Sequence, residues 1–308
     1  MTAFDWLGRT LSYVRSQGLI PGLNKSAYEF KHGTAYRIDA RWPGNAVFDS
    51  QWDVLIILDA CRPDLLAEVS DNYDFLPKSP ATIRSKGSGS LSWMERNFTD
   101  DWATEMTNTA YVSGNPFTDE LVADGQFGYL DEVWRYGWDD EIGTVPARPI
   151  TDRAIDTART RDFDRLLVHY MQPHFPSIPD PVDSGIDIEN FGDGWDSIWD
   201  DLAAGRISKD RVWKSYRANL NYVLDDVSLL LNNIDADTAV ISADHGNAFG
   251  EFGFYGHPPY NPIPALRTVP WVETTATDSG SYEPTTERQT RRVTDDEVTS
   301  RLADLGYR

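Results

Sequence analysis

The segment from Val240 to His257, VISADHGNAFGEFGFYGH, constrains the fold more than any other part of the chain. It opens inside a short apolar run, TAVIS, and stops abruptly at Asp244, His245 and Gly246. A Gly- and aromatic-rich loop then carries the chain to His257. A short, continuous apolar run reads as a strand buried on both faces. A carboxylate beside an imidazole at the end of such a strand is costly to bury unless something compensates it. A divalent cation is the usual compensation for an Asp-His pair, and open α/β sheets collect ligands at the C-terminal ends of their strands. The segment therefore predicts a metal site on an α/β sheet.

The rest of the chain supplies the sheet. DVLIILDAC (53–61) is a second continuous apolar run, followed by RPDLLAEV with Pro63 near a helix start. TAYVSGN (109–115), RLLVHYM (165–171), TAVISA (238–243) and RTVPWVE (267–273) are further strand candidates. Helical stretches fall near 91–98, 149–160 and 208–232. Strands alternating with helices predict an α/β/α sandwich with a mainly parallel central sheet. The whole of 1–308 reads as one such domain. It carries a helical N-terminal extension over about 1–50, with a short amphipathic helix at 4–17, and a polar C-terminal tract over about 274–308. Within it, 175–200 reads as a long loop bordering a cleft, 274–292 as a mobile polar stretch, and VTDDEVTSRLADLGYR as a terminal helix.

Charge narrows the partners. The 308 residues carry 49 acidic against 28 basic side chains, a formal −21. Nucleic acid, which needs a basic footprint, is excluded as a partner, and adsorption to anionic membranes is disfavoured. Acidity on this scale looks like the solvating surface of proteins from a high-salt cytoplasm, an extreme halophile's. The single cysteine, Cys61, rules out an internal disulfide and any Cys-based zinc cluster. No run approaches the ~20 apolar residues of a membrane span, so the expectation is a soluble, cytoplasmic protein.

Four of the five histidines, His169, His174, His245 and His257, fall at strand ends or in loops; His32 is the exception. His169 is discounted as a side chain within a strand that faces the core, while His174 is better placed. Asp59 ends the first strand. It reads as an N-cap for the following helix or, since an equivalent strand end offers Asp244 and His245, as a metal ligand.

Three blocks, VLIILDACRPD, VHYMQPHFP and SADHGNAFGEFGFYGHPPYNPIPALRTVPWV, resemble the alkaline phosphatase superfamily, in particular its sulfatase and phosphoglycerol-transferase-like branch. The resemblance implies an α/β/α sandwich that binds one or two divalent metals. It implies transfer or hydrolysis of phosphate, phosphonate or sulfate esters through a metal-bound nucleophile. It further implies Asp59, Asp244 and His245 as ligands, with His174 and His257 reaching the substrate oxyanion. The family's nucleophile opens a helix, which points here to ATIRSKGSGSLSWMERNF. Free N–H groups and a positive dipole favour an anion at such a helix start. Ser90 fits best, Ser88 is its rival, and Ser85 and Ser92 follow.

Cys61 is not the nucleophile, because it lies two residues after Asp59 and reads as a small apolar side chain. The two-metal pattern would need a carboxylate where Tyr170 stands. A single ion held by Asp59, Ser90, Asp244 and His245 is the expectation, with Mn²⁺ or Zn²⁺ favoured and Mg²⁺ or Ca²⁺ as alternatives. Protonatable His174 and His257 would then supply the remaining charge against the transferring group, and one of them would protonate the leaving oxygen. Arg62 and Arg267 read as structural, and Asn115 as a turn residue that can also face the cleft and substrate. Three functions remain: a metal-dependent phosphate or sulfate ester hydrolase, a soluble transferase moving a phosphoglycerol-like or sulfate-like group onto a glycan, and a catalytically degenerate binding protein. The substrate is a small-molecule or glycan ester in either enzymatic reading.

Overall fold

The computed structural model describes residues 3–41, 43–182, 197–285 and 293–305. Seven strands form the central sheet: β1 (Val54–Leu58), β2 (Ala81–Arg84), β3 (Thr109–Ser113), β4 (Tyr129–Glu132), β5 (Arg165–Tyr170), β6 (Ala236–Ser242) and β9 (Thr268–Ala276). A two-stranded ribbon, β7 (Ala248–Phe249) and β8 (Tyr255–Gly256), stands apart from it. The spatial order in the sheet is β2-β9-β6-β1-β5-β3-β4. β6, β1, β5, β3 and β4 run parallel, whereas β9 is antiparallel to both β6 and β2.

Alternation along β1 explains its unbroken apolar run. Val54, Ile56 and Leu58 enter one core with the helices Ala147–Thr160 and Lys209–Leu231. Leu55 and Ile57 enter the other, against Trp93, Met94 and Tyr111. Both faces are covered, so neither set of side chains can be polar. The fold is the α/β sandwich read from the sequence, with all five expected strands present.

The departures have local causes. β2 and β4 are short and half-polar, so neither shows as an apolar run. β9 continues through Ala276, into what reads as a polar tract, because its later residues still pair with β6. The remainder of that tract and the 175–200 loop lie partly outside the described residues. The helical N-terminal extension consists of two helices, α1 (Ala3–Gln17), over the amphipathic spacing read at 4–17, and α2 (Leu19–Asp39), whose Pro21 stands in the first turn, where a proline loses no hydrogen bond.

The end of α2 is fastened to the body by charge. Asp39 and Arg267 are both fully buried and hydrogen-bonded to each other. Arg267 Nε also donates to the Ser85 carbonyl at 2.6 Å, and Arg96 reaches Asp39 at 2.7 Å. Removing one partner of a buried pair leaves the other charged and dry. Asp39→Ala should therefore cost about 3–5 kcal/mol in urea unfolding, while Asp39→Leu combined with Arg267→Met should recover most of that loss.

Candidate metal centre

Parallel pairing fixes the site. Leu58 of β1 lies level with Tyr170 of β5, and Ile57 with Ser242 of β6, so the segments beyond these strands emerge at one edge. Asp59 follows β1, Asn115 follows β3, His174 follows β5, and Asp244 and His245 follow β6. Gly246 must be glycine, since a Cβ there would lie 2.3 Å from the Ala265 carbonyl oxygen. That close approach turns the chain at once after the Asp-His pair, and Gly246 N–H donates to Leu266 O at 2.9 Å.

The side chains of Asp59, Asp244 and His245 are fully buried, and one ligand atom from each lies within 4.8 Å of the others. Asp244 Oδ1 accepts the backbone N–H groups of Ala60 (3.0 Å) and His245 (2.8 Å), which aims Oδ2 at the centre. His245 Nδ1–H donates to Gly246 O at 2.9 Å. Its Nε2 then faces Asp59 Oδ1 at 3.3 Å and Asp244 Oδ2 at 3.5 Å. Asp59 Oδ1 is buried without a hydrogen-bond partner. Asp59 is not the N-cap of the helix Pro63–Val69, a position held by Arg62.

Ser90 is the first residue of the helix Ser90–Asn97, here α3. Its Oγ lies 2.7 Å from Asp244 Oδ2, 3.3 Å from Asp59 Oδ2 and 3.5 Å from His245 Nε2. The rival serines are engaged elsewhere. Ser88 Oγ donates to Pro258 O and accepts from Asn261 N–H, both at 3.0 Å. Ser85 Oγ donates to the Asp244 carbonyl, and Ser92 Oγ to Gly89 O. Asn115 accepts from Phe117 N–H in its turn and donates Nδ2–H to Asp59 Oδ2 at 3.2 Å.

His174 and His257 meet above this cluster, Nε2 to Nε2 at 3.5 Å. The ribbon β7–β8 brings His257 back until its ring stands 4.9 Å from that of His245. His257 Nδ1 bonds Asn247 Oδ1 at 3.0 Å and His174 Nδ1 bonds the Phe175 carbonyl. Both Nδ1 partners are acceptors, which turns each Nε2 toward the other ring and the site.

Electrostatics separate the four imidazole and carboxylate partners. Burial alone would lower His245, yet Asp244 and Asp59 outweigh it and hold its pKa up at about 9. Burial would raise Asp244, but His245, His169 and the Ser90 hydroxyl keep its carboxyl well below the usual range. His174 is pushed down by burial and by the His245 charge. His257 is pushed down further by burial, His174 and His245. Desolvation and mutual repulsion both favour the neutral form of these two rings.

His169 lies within a strand and faces the core, as read from the sequence. It is packed on Trp93 and bonded through Nδ1 to the Tyr111 hydroxyl at 3.1 Å. However, its Nε2 has no hydrogen-bond partner and lies 3.7 Å from Asp244 Oδ2, behind the cluster. Level pairing of β1 with β5 carries the signal, since Ile57 lies beside His169 one residue before the strand end. Arg62 and Arg267 take structural positions. Arg62 braces the loop after His245 through Asn247 O (2.9 Å) and Glu251 (2.8 Å). Cys61 is buried, and burial with the Asp64 and Asp244 carboxylates pushes its thiol pKa far up.

A cavity of about 840 Å³ adjoins His257 and the start of α3. Leu91, Phe117, Trp199 and Tyr255 line it from the body, and Arg9 and His32 from the helical extension.

No family model and no curated protein matches the chain. Among solved structures it is similar to the integral membrane protein lipooligosaccharide phosphoethanolamine transferase A (EptA) of Neisseria meningitidis. That likeness has 12% identity and a TM-score of 0.50, over 89% of this chain and 59% of that one. The chain thus spans less than two thirds of that protein's length. The soluble domain of lipooligosaccharide phosphoethanolamine transferase A from the same organism gives 14% identity and a TM-score of 0.47, over 74% and 79%. The C-terminal periplasmic domain of EcEptC of Escherichia coli, in complex with Zn, gives 11% and 0.47, over 76% of each chain. Identities this low establish a shared fold and leave the chemistry to the side chains.

The opposed histidine shifts set a pH profile. His245, raised above the ~6.5 of an unfolded chain, stabilises the fold below that pH, and the contribution is lost as pH rises through about 9. His174 and His257, lowered, stabilise it above ~6.5, and theirs is lost as pH falls below that value. With a chelator present, the urea midpoint should therefore be highest near pH ~6.5 and decline on both sides. Added Mn²⁺ should flatten the alkaline limb, because a cation on His245 Nε2 replaces the proton there. Identical profiles with and without the ion would contradict this assignment.

Proposed function

We propose that the chain is a metal-dependent enzyme that cleaves or transfers phosphate or sulfate esters, with Ser90 as nucleophile. The observation that carries this reading is the Ser90 hydroxyl at a helix start, within 3.5 Å of Asp59, Asp244 and His245. The donor set fits a divalent ion. Asp59 Oδ1 is buried without a hydrogen-bond partner, and His245 Nε2 is oriented toward both carboxylates by the bond its Nδ1 makes. Asp59, Asp244, His245 and Ser90 would hold one ion, and mixed oxygen and nitrogen donors suit Mn²⁺ or Zn²⁺. When bound, the cation lowers the pKa of a hydroxyl and neutralises charge on the transferring group.

The chain's own residues supply the rest. Ser90 Oγ, its proton directed at Asp244 Oδ2, attacks phosphorus or sulfur as the ester bond to the leaving oxygen breaks. The serine proton ends on the departing alcohol. In the second half, water or another alcohol gives its proton to Nε2 of His257 or His174 and attacks the same centre. The bond to Ser90 then breaks, and that proton returns to the serine oxygen. Neutral imidazoles whose Nε2 atoms face the site are suited to this basic role. Asn115 Nδ2 and the α3 N-terminus orient the carboxylate and the anion.

Transfer to an acceptor alcohol, a glycan for example, is the second reading. The cavity beside His257 favours it, being far larger than one attacking water requires.

Purified protein with Mn²⁺ should hydrolyse an aryl phosphate monoester, phosphodiester or sulfate, and a chelator should abolish turnover. Ser90→Ala should lower kcat/KM by on the order of 10³ or more, while Ser88→Ala should leave most of it. Turnover unaffected by Ser90→Ala, or absent with every divalent ion, would refute the reading. Product analysis with and without a glycan acceptor separates transfer from hydrolysis.

A further inference from the structure

The formal charge of −21 conceals an asymmetry. Residues 1–41 hold six Lys/Arg against three Asp/Glu, a formal +3, whereas the remaining residues hold 22 against 46, a formal −24. The same basic extension carries most of the exposed apolar surface. Among the described residues six large hydrophobic side chains are exposed, and five of them, Leu11, Leu19, Phe30, Tyr36 and Ile38, lie on α1 and α2. A soluble body has no need to gather its exposed apolar groups on its one basic element.

The pattern within each helix is the same. On α2, Ala27, Phe30, Thr34, Arg37 and Ile38 recur at helical spacing and are all exposed, with Arg41 exposed just beyond; no acidic residue interrupts them. On α1, Leu11 and Arg15 stand one turn apart and exposed. α2 meets the body through Lys31, on the flank of this stripe, which donates to Gly253 O at 2.5 Å, and through His32, which packs edge-on against Phe254. The sixth exposed residue, Phe252, projects from that same turn at 76% exposure and in a left-handed conformation (φ 52°). A bulky side chain held at positive φ and facing water is unfavourable without a further contact. No helix among the described residues is long and apolar enough to cross a membrane.

We propose that the α1–α2 extension, with Phe252, is a docking surface for an anionic lipid bilayer. Arginines beside apolar groups, without acids, match the headgroup region, where cations meet anionic phosphates and apolar side chains enter the acyl boundary. The strongly acidic body is repelled from the same surface and stays in water, which fixes the orientation. Arg9 and His32 also line the cavity beside His257, so the docking element borders the site. This inference stands independently of the ester chemistry.

The test is flotation of the full chain with vesicles of phosphatidylcholine alone or mixed with phosphatidylglycerol, over the salt range in which circular dichroism shows it folded. The wild type should float with the anionic vesicles, with a preference that shrinks as salt rises. Arg15→Gln and Arg41→Gln should each weaken binding roughly fivefold. Leu11→Ser, Ile38→Ser and Phe252→Ser together should abolish it while the thermal unfolding midpoint is kept. No flotation with either vesicle, or variants that float like wild type, would overturn the proposal. Self-association in the absence of vesicles, relieved by the three serine substitutions, would assign the surface to a second copy of the chain and overturn it as well.

Discussion

Two buried carboxylates and an imidazole facing one another at the edge of a parallel sheet form the contact on which the rest of this structure depends. At ~4 Å and an effective dielectric near ~20, two carboxylates repel by about 4 kcal/mol. The fold accepts this because β1 and β6 are adjacent, parallel and level, so the residues after them cannot avoid meeting. Asp244 is further locked by two backbone N–H groups, and His245 by its own bond to Gly246. The backbone thus holds the charges together, and the geometry acquires a use only with a positive partner.

Around that cluster each neighbouring element contributes one group. The start of α3 brings Ser90, the turn after β3 brings Asn115, and two loops bring a pair of neutral imidazoles. The serine is distinguished from its neighbours by what it touches. Ser85, Ser88 and Ser92 are each hydrogen-bonded to backbone carbonyls, whereas Ser90 turns to the carboxylates. Its hydroxyl is the one of the four that faces the cluster.

Much of this was legible in the sequence for a simple reason. Asp59, Asp244 and His245 follow apolar runs, and a strand that ends in a charge advertises its C-terminal edge. β2 and β4 escaped notice because four half-polar residues carry no pattern.

The most direct measurement is a crystal of the protein soaked in Mn²⁺, with diffraction data collected at a wavelength where manganese scatters anomalously. One strong anomalous peak is expected within coordinating distance of Asp59, Asp244, His245 and Ser90. The absence of a peak there, or an ion bound elsewhere while Asp59 and His245 point apart, would contradict the assignment.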